Sequence, residues 1–331
     1  MDPYRDVVEA YSEFAREAGD SPTFVAWARG VADDPEVVDW IGTLPGIKQQ
    51  PNLVFAAARR HGVPAPGPYA ALREALLADD GTIRATILSH ATQTNEVGRL
   101  ATLLPVLARV EGPLAVVEVG SSAGLNLTLD RWAYEWTLAD EGDRVVRLEP
   151  DGPPAGTLRS RVVGPAPLPA RVPEVAWRCG VDLNPLDVTD AEQTAWLEQL
   201  VWPEQDERRE RLRHALAVAR TDPPPVRRGN LLDELPRLVE EASGHGTVVV
   251  LNSVVIAYLS PDDRQRYDHL VRSLVAAGAC HWVSNEAPGV LPSIAATGPD
   301  VPTGRRAFAL GLDGRMVGHA HGHGNELHWT A

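Results

Sequence analysis

The stretch VVEVGSSAGLNL, residues 116–127, concentrates groups that could do chemistry. An apolar run ends in an acid, Glu118, and the loop Gly120-Ser121-Ser122-Ala123-Gly124 follows before Leu125 opens a helical pattern. A strand–loop–helix of this kind can cradle a nucleotide, and it also occurs where a helix packs closely on a sheet. A dinucleotide loop needs Gly-x-Gly-x-x-Gly. The corresponding residues here are Gly120, Ser122 and Leu125, so only the first glycine is present. A phosphate loop ends in Gly-Lys-Ser/Thr, and AGLN has no lysine. The carboxylate at the strand end suits a cationic ligand group, or bracing of the loop's own amides, better than a pyrophosphate.

Other polar clusters add candidates. His90, Gln93, Asn95, Glu96 and Arg99 interrupt the otherwise apolar run ILSHATQTNEVGRLATLLPVLARV. On a helix, residues 92 and 96, or 95 and 99, share a face. The cluster reads as ligand contacts, as an interhelical hydrogen-bond network, or as a Glu96–Arg99 pair. RRERLR at 208–213 reads as a solvated helix face, or as Arg208 and Arg211 folded over a carboxylate-bearing substrate. In GHAHGHGNELH, His319, His321 and His323 share one strand face. A strand rises about 3.3 Å per residue, so if the Asp313-Gly314 turn lies on the ligand rim, His323 is most of a strand length away. A solvated or sheet-packing role is expected for these histidines, and no metal.

The elements that must position these groups follow from patterning. At 331 residues the chain is long enough for one large domain or two modest ones. Residues 1–80 read as helices only: DPYRDVVEAYSEFAREAG, SPTFVAWARGVADD with a Ser cap and a first-turn Pro, PEVVDWIGTL and QPNLVFAAARRHG. A long helix is expected from Thr82 to Val110, with Pro105 a kink. Strands are expected at 114–119, 175–182, 226–230, 247–252 and 280–286, and helices at 123–136, 189–219 and 261–277. Apolar strands alternating with helices predict a parallel sheet covered on both faces. RRAFALGL, Asp313-Gly314 and RMVGHAHGHG predict a closing hairpin. The segment LEPDGPPAGTLRSRVVGPAPLPARVPE reads as an insertion, a flap at about 140–174.

Composition limits the partners. The chain carries 31 Lys+Arg against 45 Asp+Glu, a net charge of −14, which repels a nucleic-acid backbone over most of its surface. The longest apolar run, TVVVLNSVVIAYL, is too short and interrupted for a bilayer, which needs about 20 apolar residues. The N-terminus lacks signal-peptide character, and two cysteines, Cys179 and Cys280, stand in apolar stretches as free thiols. A cytoplasmic location is expected, with neither nucleic acid nor membrane as partner.

The loop 116–127 resembles the first motif of class I S-adenosylmethionine-dependent methyltransferases, with Ser122 where a glycine usually stands. CGVDLNP (179–185) resembles their second-strand motif. VRRGNLLDELP (226–236) resembles the third, with Asn230 in place of the usual acid, and VVVLNSVVIAYLSPDDRQRYDHLVRSLVAAG resembles the fourth strand and its helix. A rival second strand, RVVRLEP with Glu149, runs into prolines and is set aside. The chain is also similar to an uncharacterised bacterial domain-of-unknown-function family with such a core, through TQTNEVGRLATLLP, EVGSSAGLNL, DLNPLDVTD, WLEQLVWPEQDERRERL and WVSNEAP.

This resemblance implies a Rossmann-like α/β fold: a mostly parallel seven-stranded sheet with a C-terminal antiparallel hairpin (residues 81–331), plus a helical cap over residues 1–80. It implies S-adenosylmethionine held by Glu118, Gly120, Ser121, Ser122, Gly124, Asp182, Asn184, Asn230, Leu231 and Asn252, with Asp182 on the ribose hydroxyls. Methyl transfer to a small molecule would then draw its base from Glu286, His90 or Glu96, with Tyr258 or Asn252 orienting a substrate. Gln93, Asn95, Arg99, Arg208 and Arg211 are the substrate-side candidates. The alternatives are a non-catalytic binding or partner module, suggested by Ser122 and Asn230, and an oxidoreductase using a nicotinamide dinucleotide, suggested only by the generic loop.

Overall fold

The structure is a computed structural model that describes residues 6–93, 95–301 and 307–331. The start of the expected first helix (residues 2–5), Thr94 of the polar cluster, and Arg305 and Arg306 of the expected hairpin lie outside the described residues. The chain divides into two compact units, one of Met1–Thr94 with Ala191–Glu210, the other of Asn95–Asp190 with Arg211–Ala331. No described helix is long and apolar enough to cross a membrane.

The first unit is helical. Val7–Glu17, Pro22–Ala32, Pro35–Gly42, Pro51–Arg60, Tyr69–Leu77, Thr82–Ser89 and Ala191–Leu200 surround an aromatic core. Phe14, Phe24, Trp27, Phe55 and Trp202 meet there with ring centroids 5.0–6.3 Å apart. Caps set the helix starts. Ser21 accepts from the Phe24 amide, Asp34 accepts from Glu36 and Val37, and Pro occupies the first turn of both helices.

The second unit is mixed α/β, built on one eleven-stranded sheet. Its strands are β1 Leu114–Val119, β2 Ala133–Leu138, β3 Arg144–Leu148, β4 Thr157–Val163, β5 Val175–Asp182, β6 Val226–Arg228, β7 Thr247–Ser253, β8 His281–Glu286, β9 Ala307–Leu312, β10 Arg315–His321 and β11 Glu326–Trp329. The spatial order is β3-β2-β4-β11-β10-β9-β8-β7-β1-β5-β6. The block β8-β7-β1-β5-β6 is parallel throughout. Taken from β6, its strands run third, second, first, fourth, fifth in chain order, the doubly wound pattern whose direction reverses between β1 and β7. Every residue of β1 is buried, as a strand covered on both faces requires. The helices Leu231–Ala242 and Pro261–Ala276 bury Leu235, Leu238, Tyr267 and Val271 against Val117, Val250 and Trp282 on one face.

Several expectations are corrected. The sheet has eleven strands rather than seven, adding β2, β3, β4 and β11, and the Pro/Gly-rich insertion is no flap. It contributes β3, an edge strand antiparallel to β2, and β4, whose alternating exposure marks a strand with one buried face. The expected helix 123–136 is a 3₁₀ segment, Leu125–Arg131, followed by β2. Tyr134 and Trp136 alternate inward from β2, and the Trp136 indole donates to the Ala101 carbonyl at 2.8 Å. The expected helix from Thr82 to Val110 is broken. Thr82–Ser89 stops at His90, which is extended (φ −113°, ψ 167°), and helix resumes at Leu100–Leu107 with Pro105 inside its last turn. Helix 189–219 is two helices, Ala191–Leu200 and Asp206–Thr221, separated at Trp202-Pro203. The closing hairpin forms as expected on Asp313 (φ 51°) and Gly314 (φ 76°), both left-handed as a primed turn requires.

Candidate functional site

In an open parallel sheet, ligands bind beyond the carboxyl ends of the strands at the point of reversal, here between β1 and β7. The loop after β1 turns there on three left-handed residues, Gly120 (φ 66°), Ser122 (φ 53°) and Gly124 (φ 68°). Left-handed backbone is uncommon for a residue with a Cβ, so Ser122 needs support from its surroundings. Asn95 supplies it: Nδ2 donates to Ser122 Oγ at 2.8 Å, and Oδ1 accepts from the Ala123 amide at 3.2 Å.

Every amide of the loop is used inside the protein. Gly120 and Ser121 donate to the Val181 carbonyl, Gly124 donates to Ser121, and Ser122 donates to Asp182 Oδ2 at 2.8 Å. With Ala123 on Asn95, no loop amide is left to bind an anion. Asp182, at the end of β5, also accepts from the Asn184 amide through Oδ1 at 2.7 Å. Each of its oxygens therefore has one internal donor, and a carboxylate has about four lone-pair positions. Beside it Leu183 is 62% exposed.

The loop's small residues serve close packing. A Cβ on Gly120 would stand 1.9 Å from Val255 Cγ2, and one on Gly124 would stand 3.0 Å from Pro224 and Val226. Gly180 on β5 admits Ser121, whose Oγ would lie 2.1 Å from a Cβ there.

Two buried carboxyls flank the reversal point. Glu118 Oε1 accepts from Asn126 Nδ2 at 2.8 Å, while Oε2 is buried with no hydrogen-bond partner. Burial pushes the Glu118 carboxyl up to about 8, with Asp182 adding to the rise and Asn126 and Arg99 opposing it. Glu286, at the end of β8, accepts through Oε1 from Asn252 Nδ2 and the amides of Val255 and Ile256, at 2.9–3.1 Å. Burial raises its pKa too, against these donors and Arg99.

Arg99 is 3% exposed and donates to the Gly322 carbonyl at 2.8 Å and the Ser253 carbonyl at 3.2 Å. Glu96 is likewise buried and accepts from Gly98 N and Arg211 Nε, both at 2.9 Å. Glu96 pairs with Arg211. Asn252 is fully buried with all four hydrogen-bond positions filled, by Ser284 and Glu286 on its nitrogen and by Tyr267 and Trp282 on its oxygen. No capacity is left there for a ligand.

Asn230 caps the helix Leu231–Ala242, its Oδ1 accepting from Leu232 N, and Leu231 is buried just behind it. Tyr258, 39% exposed, lies in the turn after β7. His90, Gln93 and Arg208 belong to the helical unit. There the His90 ring lies 4.4 Å from Trp196, and Arg208 donates to Gln205. His319 and His321 stand on β10 and His323 in the turn after it, which corrects the single strand face expected for them. The rings of His319 and His328 are 4.5 Å apart, and no group of three or more His, Cys, Asp or Glu gathers to hold a metal among the described residues.

The model of an uncharacterised protein family conserved in bacteria, DUF2332, matches residues 8–329. The chain belongs to that family. No curated protein and no solved structure matches it. The geometry must therefore indicate what this DUF2332 chain does, and it adds residues that sequence reading passed over. Val255 fills the space at Gly120, Asn126 holds Glu118, and Leu183 is exposed beside Asp182. Only Asn126 and Leu183 had a sequence signal, as the residues inside GLNL and DLNP. Nothing in the spelling of VVIAY marks Val255.

Proposed function

We propose that the chain binds S-adenosylmethionine at the carboxyl ends of β1 and β5 and catalyses methyl transfer to a small molecule. One observation carries this reading. All five amides of loop 120–124 are donated within the protein, and the groups beside the loop are carboxyls, Glu118 and Asp182. Such a loop offers nothing to a phosphate and suits a cationic, phosphate-free nucleoside. The same observation disfavours a nicotinamide dinucleotide, which brings a pyrophosphate.

Asp182 would take the sugar hydroxyls on its remaining lone pairs, and Leu183 would cover the base. A cation beside Glu118 favours the ionised form that burial opposes. When bound, S-adenosylmethionine supplies a methyl group on a sulfonium sulfur. The protein's own contribution is then alignment above all. Among the candidate bases, Glu286 keeps Oε2 free of any hydrogen-bond partner, and burial raises its pKa above the ordinary carboxyl range. Tyr258 is exposed enough to orient a substrate.

Calorimetry with S-adenosylmethionine and S-adenosylhomocysteine tests the assignment, with the reduced nicotinamide dinucleotide as comparison. Binding of the first two, lost in Asp182→Ala, is expected; binding of neither rejects it. A non-catalytic binding module is the second reading, favoured by the internal saturation of Asn252. Transfer of a labelled methyl group to any member of a metabolite panel would eliminate it.

A further inference from the structure

The point of reversal between β1 and β7 is where this sheet should admit a ligand. There the Val255 side chain packs on Gly120. Val255 is half-buried, and its Cγ2 occupies the position that a Cβ on Gly120 would need. It rides on a short segment between β7 and the helix Pro261–Ala276. One residue of that segment is strained: Val254, β-branched, has φ 56°. Left-handed backbone at a β-branched residue is a genuine outlier, held only where the surroundings over-determine it.

The restraints can be named. The Val254 amide donates to the Asn285 carbonyl at 3.0 Å, and the Val255 amide donates to Glu286 Oε1 at 2.9 Å. The segment is fixed on both sides of this pair. Arg99 holds the Ser253 carbonyl before it, Ile256 is fully buried in the core after it, and Arg264 holds the carbonyls of Ala257 and Leu259. The movable part is therefore Val254–Val255. Rotation of Val254 to an ordinary φ would relieve its strain, and any withdrawal of Val255 from Gly120 would lose packing, so the two effects oppose one another. Opposed terms of this kind would bring an open arrangement close in free energy to the closed one.

We propose that Val254 and Val255 form a gate over the ligand crevice: Val254 is the hinge, Val255 the plug against Gly120, and Glu286 the latch that holds the closed arrangement. The gate stands on this geometry, and its ligand rests on the nucleoside reading above.

Hydrogen exchange of the full chain, resolved to single amides, tests it without any ligand. Val254 and Val255 should exchange at least about ten-fold faster than Leu251 and Ile256, through an opening less costly than global unfolding. Neighbouring substitutions should act in opposite directions. Val255→Ala removes the plug's packing and should speed exchange at residues 254 and 255. Val254→Asn suits the left-handed hinge and should slow it. Exchange of all four amides at one rate, or both variants shifting it in the same direction, overturns the gate. If S-adenosylhomocysteine binds, Val255→Ala should raise its association rate, and an unchanged rate overturns the gate. If the opposite shifts appear and S-adenosylhomocysteine does not bind, the gate stands and the nucleoside reading falls.

Discussion

Asn95 grips the loop after β1 through both ends of its amide, donating to Ser122 Oγ at 2.8 Å and accepting from Ala123 N at 3.2 Å. It thereby supports a serine in left-handed backbone at the turn of the candidate site. Asn95→Ala removes the hydrogen bonds that Asn95 makes to the Ala123 amide and the Ser122 hydroxyl, at a cost of about 1–3 kcal/mol. Thermal unfolding should show it as a fall of roughly 2–4 °C per kcal/mol for a unit of this size. An unchanged transition would show that the clamp contributes nothing.

Gly120 and Val255 should be energetically coupled. Gly120→Ala forces a Cβ into the space of Val255 Cγ2, in left-handed backbone, and should cost about 1–3 kcal/mol for overpacking and more for the strain. Adding Val255→Ala removes Cγ2, the nearest colliding atom at 1.9 Å, but leaves Cβ at 2.6 Å; it should recover part of the loss, giving a coupling of about 0.5–3 kcal/mol in a double-mutant cycle by denaturant unfolding. Strict additivity would contradict the contact.

Glu118 should make stability depend on pH in a particular direction. Its folded pKa is raised to about 8, so the native state binds more protons than the unfolded chain between the ordinary carboxyl range and about pH 8. Stability attributable to this group is therefore full below that window and falls as pH rises through it, by roughly 5 kcal/mol at most. Glu118→Gln should match the wild type near pH 4.5 and exceed it near pH 9. Parallel stability curves for the two proteins across that range would refute the assignment.

Leu183 offers a separation of folding from binding. It is 62% exposed, so Leu183→Ala should change stability by no more than about 0.5 kcal/mol. On the proposed reading it covers a nucleoside base, and the variant should bind S-adenosylhomocysteine about ten-fold more weakly by calorimetry, in line with loss of an apolar contact. Equal affinity would remove Leu183 from the site.

The residues show what was legible in the sequence and what was not. The apolar runs LAVVEV and TVVVLN specified buried parallel strands, because a strand covered on both faces must be apolar at nearly every position. Asp313-Gly314 specified its hairpin through local backbone preference alone. The single helix expected through residues 82–110 does not form, for the opposite reason. Its polar residues form bonds to groups far along the chain: Asn95 to the loop after β1, Arg99 to Ser253 and Gly322, and Glu96 to Arg211. Those bonds interrupt a periodicity that local propensity alone would have continued.

Alone, then, the sequence determined the doubly wound core, the loop with its acid at the strand end, and membership in DUF2332. Strand and turn preferences are local and are written in neighbouring residues. Tertiary structure decided the four extra strands, the saturation of every loop amide and the seating of Val255 on Gly120. Each of these depends on which distant group arrives to donate, accept or fill space, and spacing along the chain does not carry that information.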